Sequence, residues 1–149
     1  MVHVAPETRW GMTPRQSVER ECARRGEDAV VAGCVALLHG SAVDAGPVDG
    51  DLVMALGGPP AAWVETGNAA GPDYWLRVWA ARGLLYAWRD SARGAVGDAL
   101  RDDAWRVREA ALRVVGKRGL SDQRATVETL LDDDATRVRA AATRVLKRL

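Results

Sequence analysis

From residue 100 onward the apolar positions recur with the step of a helix. Val107, Ala110, Ala111, Val114 and Val115 fall at i, i+3, i+4, i+7 and i+8, one stripe along one face. Val138, Ala141, Ala142, Val145 and Leu146 repeat that stripe 31 residues later. The polar positions repeat in the same register. Leu100-Arg101-Asp102-Asp103-Ala104-Trp105-Arg106-Val107-Arg108 aligns with Leu131-Asp132-Asp133-Asp134-Ala135-Thr136-Arg137-Val138-Arg139. Another step of 31 back reaches Trp75-Leu76-Arg77-Val78-Trp79-Ala80-Ala81-Arg82. Leu76, Val107 and Val138 are therefore equivalent, as are Arg77, Arg108 and Arg139, and Arg82, Arg113 and Arg144.

A shorter helix is predicted before each of the last two. Ser91 can cap one running to about Leu100, with Val96, Ala99 and Leu100 inward. Ser121 can cap one running to about Leu131, with Val127, Leu130 and Leu131 inward. Asp102-Asp103 and Asp133-Asp134 fill the turns, where they suit the start of the second helix. Gly116 and Gly119 mark the break between repeats.

The first half is helical but less regular. Thr13-Pro14-Arg15-Gln16 has the form of a capping box with proline at the first helical position, opening a helix to Arg25 that stops at Gly26. Glu27 to His39 is a more apolar helix ending at Gly40, and Ser41–Gly50 is a loop. Asp51–Leu56 reads as a short helix broken by Gly57-Gly58-Pro59-Pro60. Ala61–Gly71 has no decisive pattern; a helix around Trp63, then a loop at Gly67-Asn68, fits it. A strong helix is predicted from Asp73 to about Trp88. No segment shows sustained strand alternation. The expectation is an all-α fold, an α-solenoid of about four stacked helical pairs at 13–40, 49–89, 90–118 and 121–149. It forms one domain over 1–149, with an irregular part at 1–72 and regular repeats at 73–149.

Composition narrows the classes. The chain is 48% hydrophobic and 28% charged, too apolar for disorder. It has no apolar run of about 18 residues that could span a membrane. Met1–Gly11 lacks the apolar core of a signal peptide, so a reduced, cytoplasmic protein is expected. Cys22 and Cys34 cannot build a disulfide scaffold, and Cys34 reads as a buried hydrophobe. With His3 and His39 as the only histidines, a zinc centre is not expected, and neither is a cofactor.

The Leu-x-Asp-Asp-x-x-x-Val-Arg-x-Ala-Ala pattern at 100–111 and 131–142 resembles the HEAT-repeat family, in its short bacterial, phycobilin-lyase-like form. Tyr74–Trp88 is similar to small actinobacterial HEAT-repeat proteins. The resemblance implies that Asp103 and Asp134 join Arg108 and Arg139 in a structural ladder between repeats. It also implies a scaffold whose second helices line a concave face that grips a partner. Some relatives in that family are enzymes, among them bilin lyases and alkylpurine DNA glycosylases.

The candidate site lies on that face. Trp75, Trp79, Arg82 and Tyr86 share one side of their helix at steps of 4, 3 and 4. Their equivalents are Arg106, Ala110, Arg113 and Lys117, then Arg137, Ala141, Arg144 and Arg148. Side by side they make a basic surface with an aromatic end, suited to a protein or peptide partner. The bland alternative is a solvated helix face with Trp75 or Trp79 partly in the core. A second alternative is a nucleic-acid groove. The chain's 21 basic and 20 acidic residues speak against it, although residues 101–149 carry 12 basic and 8 acidic.

A GC-rich genome would explain by codon use why all basic residues but Lys117 and Lys147 are arginine, but not why they gather on one face. No catalytic constellation is expected. His39 and Cys34 fall on different faces of their helix, and Gly57-Gly58-Pro59-Pro60 lacks the lysine of a phosphate loop. For a glycosylase-like reaction, only Asp73 or Asp90 beside Trp75, Trp79 or Trp88 is available. Leu146 and Leu149 at the far end leave an edge where a second copy could pack.

Overall fold

The computed structural model describes residues 11–61 and 73–149. The expectations for residues 1–10, His3 among them, and for Trp63 and the Gly67-Asn68 loop lie outside the described residues. Among those described there are eight α-helices and no strand. They are α1 (Pro14–Arg25), α2 (Glu27–Leu38), α3 (Gly50–Gly57), α4 (Tyr74–Gly83), α5 (Arg93–Ala99), α6 (Trp105–Arg118), α7 (Arg124–Thr129) and α8 (Thr136–Leu146). No helix among them is long and apolar enough to cross a membrane.

The start of α1 forms as its residues dictate. Thr13 Oγ1 accepts the Gln16 N–H at 3.2 Å and Gln16 Oε1 accepts the Thr13 N–H at 3.0 Å. Asp49 caps α3 in the same sense, accepting the Leu52 N–H at 2.8 Å. Gly119 ends α6 in the left-handed region at φ 62°, which a side chain would resist.

The helices stack in two layers. α1, α2, α5 and α7 form the first, and α3, α4, α6 and α8 the second. Four pairs result, as the repeat length implies, but the first two are interleaved along the chain. α1 pairs with α3, and α2 with α4. Ser17 Oγ on α1 donates to Ala55 O on α3 at 2.6 Å, fixing the first of these. The boundaries 13–40 and 49–89 are thus corrected. The turn at Gly26 is short enough to place α1 and α2 side by side in one layer, and the chain must then return to cover α1 and α4. Apolar side chains from Val18 to Val145 join in one continuous core.

Three other expectations change. The helix from Asp73 ends at Gly83, not Trp88. Outside contacts hold the residues beyond it: Glu27 Oε2 accepts the Trp88 N–H at 3.0 Å, and Arg118 donates to Leu84 O and Leu85 O at 2.9 and 3.0 Å. Those bonds satisfy groups that a longer helix would satisfy internally. Neither Ser91 nor Ser121 caps a helix. Each opens into a short 3-10 turn, Asp90–Ala92 and Ser121–Gln123, before the α-helix begins. Leu131 is 39% exposed, because the chain tightens into a 3-10 turn at Leu130 and carries it off the inward stripe.

The repeats are tied by arginine. Arg77 on α4 grips the Asp102 carboxylate through Nε and Nη2 at 2.7 and 3.1 Å. Arg108 on α6 grips Asp133 in the same way at 2.8 and 3.0 Å, again 25 residues on. Each carboxylate also accepts a backbone N–H in its own turn, from Ala104 and Ala135, both at 2.9 Å. The ladder therefore runs through the first aspartate of each pair, not through Asp103 and Asp134. Only the first carboxylate can accept the N–H two residues ahead and face back across the interface. The second residue of each pair contributes its carbonyl, which Arg108 or Arg139 reaches at 3.0 or 3.1 Å.

Burial pushes the Asp133 carboxyl up, but Arg108 and the Ala135 N–H outweigh it and hold it below its ordinary 3.8. A carboxyl depressed in the fold adds stability above its unfolded value and loses it as pH falls through the folded value. Asp133→Asn should therefore destabilise the protein by about 2 kcal/mol near neutral pH. The gap to wild type should narrow below about pH 3. Urea denaturation at the two pH values checks this; a gap that does not shrink in acid contradicts it.

Candidate functional site

The outward face of the second layer carries two adjoining clefts. One lies between α4 and α6, lined by Trp75, Val78, Arg82, Leu85, Trp105, Arg106, Glu109, Ala110, Arg113 and Arg137. The other lies between α6 and α8, lined by Leu85, Arg113, Lys117, Ala141, Arg144, Val145, Lys147 and Arg148. They meet at Leu85 and Arg113. Together they present eight basic side chains and one carboxylate, on a chain of net charge +1. The rest of the molecule is net acidic.

Seven of the nine residues singled out from the sequence line these clefts: Trp75, Arg82, Arg106, Arg113, Lys117, Arg137 and Arg144. They do so because the second helices lie side by side, so one helical face per repeat becomes one wall. Trp79 does not reach the clefts. It is 5% exposed, packed where α3 lies alongside α4. A Cβ at Gly57 would stand 2.7 Å from its ring, so that glycine is what admits the indole. Trp79 is thus a core residue and leaves the docking set. Tyr86 stands beside the clefts, with Lys117 Nζ 5.1 Å and Arg15 Cζ 5.6 Å from its ring centre.

Arg82 is half-committed to the fold. Its Nη2 donates to Leu56 O at 2.6 Å, closing the C-terminal end of α3. Burial lowers its pKa from the ordinary arginine value, and the half-buried guanidinium stays cationic while one of its N–H groups is spent on Leu56 O. Arg106 covers two rings, its Cζ 5.4 Å from the Trp75 centre and 4.5 Å from that of Trp105. It also donates to Tyr74 Oη at 3.3 Å. Arg137 Nε pairs with Glu109 at 3.1 Å. Among the described residues no carboxylate pairs with Arg113, Lys117, Arg144, Lys147 or Arg148, and all five are exposed. Burial, then the charges of Arg118 and Arg15, lower the pKa of Lys117.

Sequence reasoning passed over Trp105, Glu109 and Lys147. Glu109 has a signal in hindsight: it sits 28 residues before Arg137, close to the ladder spacing. Trp105 has none, since its equivalent in the next repeat is Thr136. Arg118 was also missed, and it is structural, holding Leu84 O with its guanidinium 5.3 Å from the Trp88 ring centre.

The other proposed chemistry finds no site. Asp90 is bound to Arg93 at 2.9 Å, and neither Asp73 nor Asp90 lines either cleft. Among the described residues no group of three or more His, Cys, Asp or Glu could hold a metal ion. Cys34 is fully buried, its thiol pushed up to about 12 by burial and then by Cys22.

Two layers of paired helices joined by a repeating ladder define an α-solenoid repeat protein. Residues 67–147 match the family model for HEAT repeats, and the chain belongs to that family. HEAT repeats generally mediate protein–protein interaction. No curated protein and no solved structure matches the chain.

Trp79→Ala should cost about 3–5 kcal/mol of stability, and Gly57→Ala about 1–3 kcal/mol through the collision it forces. Trp75→Ala should cost clearly less, because its ring borders a cleft. Denaturant unfolding of the three variants ranks them; a Trp75→Ala loss equal to that of Trp79→Ala contradicts the division.

Proposed function

We propose that the chain is a non-enzymatic interaction module that docks a protein or peptide on the outward face of α4, α6 and α8, acting as one HEAT-repeat domain. The observation that carries this reading is the pair of adjoining clefts, walled by apolar and aromatic side chains at one end and by unpaired cations at the other. Hot spots of protein interfaces favour that combination of tryptophan and arginine. Arg113 is the pivot, because both clefts share it.

The bacterial, cytoplasmic setting and the kinship with phycobilin-lyase-like and actinobacterial HEAT proteins belong to this proposal as its background. A second copy as partner is one of its forms. Leu146 and Leu149, both half-buried, supply less apolar surface than a dimer through that edge would need.

A photo-crosslinking amino acid at Ala110, in the cleft, should capture a partner that the same group at Ala125 on α7 does not. Arg113→Glu should abolish that capture. Equal capture from both positions, or capture unchanged by both Arg113→Glu and Trp75→Ala, refutes the docking face.

A further inference from the structure

The structure narrows what the face can hold, and the narrowing rests on the docking reading above. A polyanion that reads bases would need free aromatic faces for stacking. On Trp75 those faces are taken, and on Trp105 Arg106 takes one of them. Arg106 covers Trp75 and Trp105, and Trp75 lies 6.4 Å from Trp79 at an interplanar angle of 29°. The Tyr74 ring centre lies 5.4 Å from that of Trp75, tilted by 39°. What remains of these rings is an apolar wall, continued by Val78, Leu85 and Ala110.

The far cleft is different. Arg113, Lys117, Arg144, Lys147 and Arg148 surround it without a carboxylate among its lining residues. Five like charges gathered on one surface repel one another and would be relieved by an anion. Glu109, the one carboxylate of the joint surface, is held by Arg137 beside the apolar wall. The face is thus graded, from an aromatic end at Trp75 and Trp105, where four arginines are offset by Glu109, to a far end at Arg144 and Arg148 with five cations and no carboxylate. A nucleic-acid backbone carries charge along its whole length and does not match that gradient.

We propose that the occupant is an acidic polypeptide segment: an aliphatic side chain seated against Trp75 and Leu85, followed by several carboxylates over Arg113, Lys117 and Arg144. Charge complementarity specifies the carboxylates, and the apolar wall specifies the anchor.

Fluorescence anisotropy of the full chain tests this with defined probes. The first is a labelled peptide with one leucine followed by a run of glutamates. The others replace the glutamates by glutamines, replace the leucine by serine, or substitute a single-stranded DNA oligonucleotide of matching charge. The leucine–glutamate peptide should bind tightest and weaken in about 1 M salt, where screening acts over about 3 Å. Combined Arg113→Glu and Arg144→Glu should weaken it by about tenfold or more. Trp75→Ala should weaken it and erase the leucine–serine difference. Both arginines are exposed and bond to no described residue, so the charge-reversed chain should keep its helical circular dichroism. Equal binding of the glutamine peptide, or tighter binding of the oligonucleotide, overturns the assignment. Crosslinking from Ala110 that persists while the acidic peptide fails to bind or compete overturns the acidic segment alone. Loss of both overturns the docking face as well.

Discussion

A guanidinium on one second-layer helix, holding a carboxylate at the turn before the next, sets the spacing of this molecule. Arg77 to Asp102 and Arg108 to Asp133 repeat the same two-bonded contact at the same separation of 25 residues. The carboxylate is shared. It accepts a backbone N–H in its own turn and two guanidinium N–H groups from the previous repeat. Arg108 also reaches back to the carbonyls of its own turn, Asp102 O at 2.7 Å and Asp103 O at 3.0 Å. Three otherwise costly groups are thereby satisfied at each interface: a turn, a charge and a helix entry. The ladder fixes how far each second helix is rotated against its neighbour.

Everything on the outward face follows from that rotation. Once Arg108 points into the interface, Arg106, Glu109, Arg113 and Lys117 must point outward, and Arg137, Arg144 and Arg148 fall into line on α8. Two kinds of arginine result from one helical phase. Arg77, Arg108 and Arg118 spend their hydrogen bonds on carboxylates and carbonyls of the fold. Arg113 and Arg144 make no such bonds to any described residue and stand in the clefts. A chain with nearly balanced charge can therefore carry a strongly cationic face, its described carboxylates, Asp51 and Glu109 apart, being placed in turns and on the first layer.

The regular half was readable because its signal is redundant: the apolar stripe, the Asp-Asp turn and the arginine all recur at one period. That redundancy gave the helices, the shared face and most of the cleft residues. It failed where a choice depended on atoms instead of on period. Whether Asp102 or Asp103 meets Arg77 depends on which carboxylate can accept the N–H two residues ahead. The interleaving of α1 to α4 has no repeat to reveal it, since α3 has no counterpart at the 31-residue offset. Trp79 shared a helical face with Trp75 and Arg82, yet α3 covers it. No pattern within α4 announces a helix supplied by residues 50–57. Arg82 was placed on the right face, and the carbonyl that engages it comes from that same helix, whose position against α4 the repeat does not fix.

The division of the arginines into ladder and cleft is the central claim. Urea unfolding of Arg108→Ala and Arg113→Ala, measured together near neutral pH, tests it most directly. Arg108→Ala should lower stability by about 3 kcal/mol or more, since it leaves Asp133 without its partner in the interface. Arg113→Ala should stay within about 0.5 kcal/mol of wild type. Equal losses from the two substitutions would contradict the account.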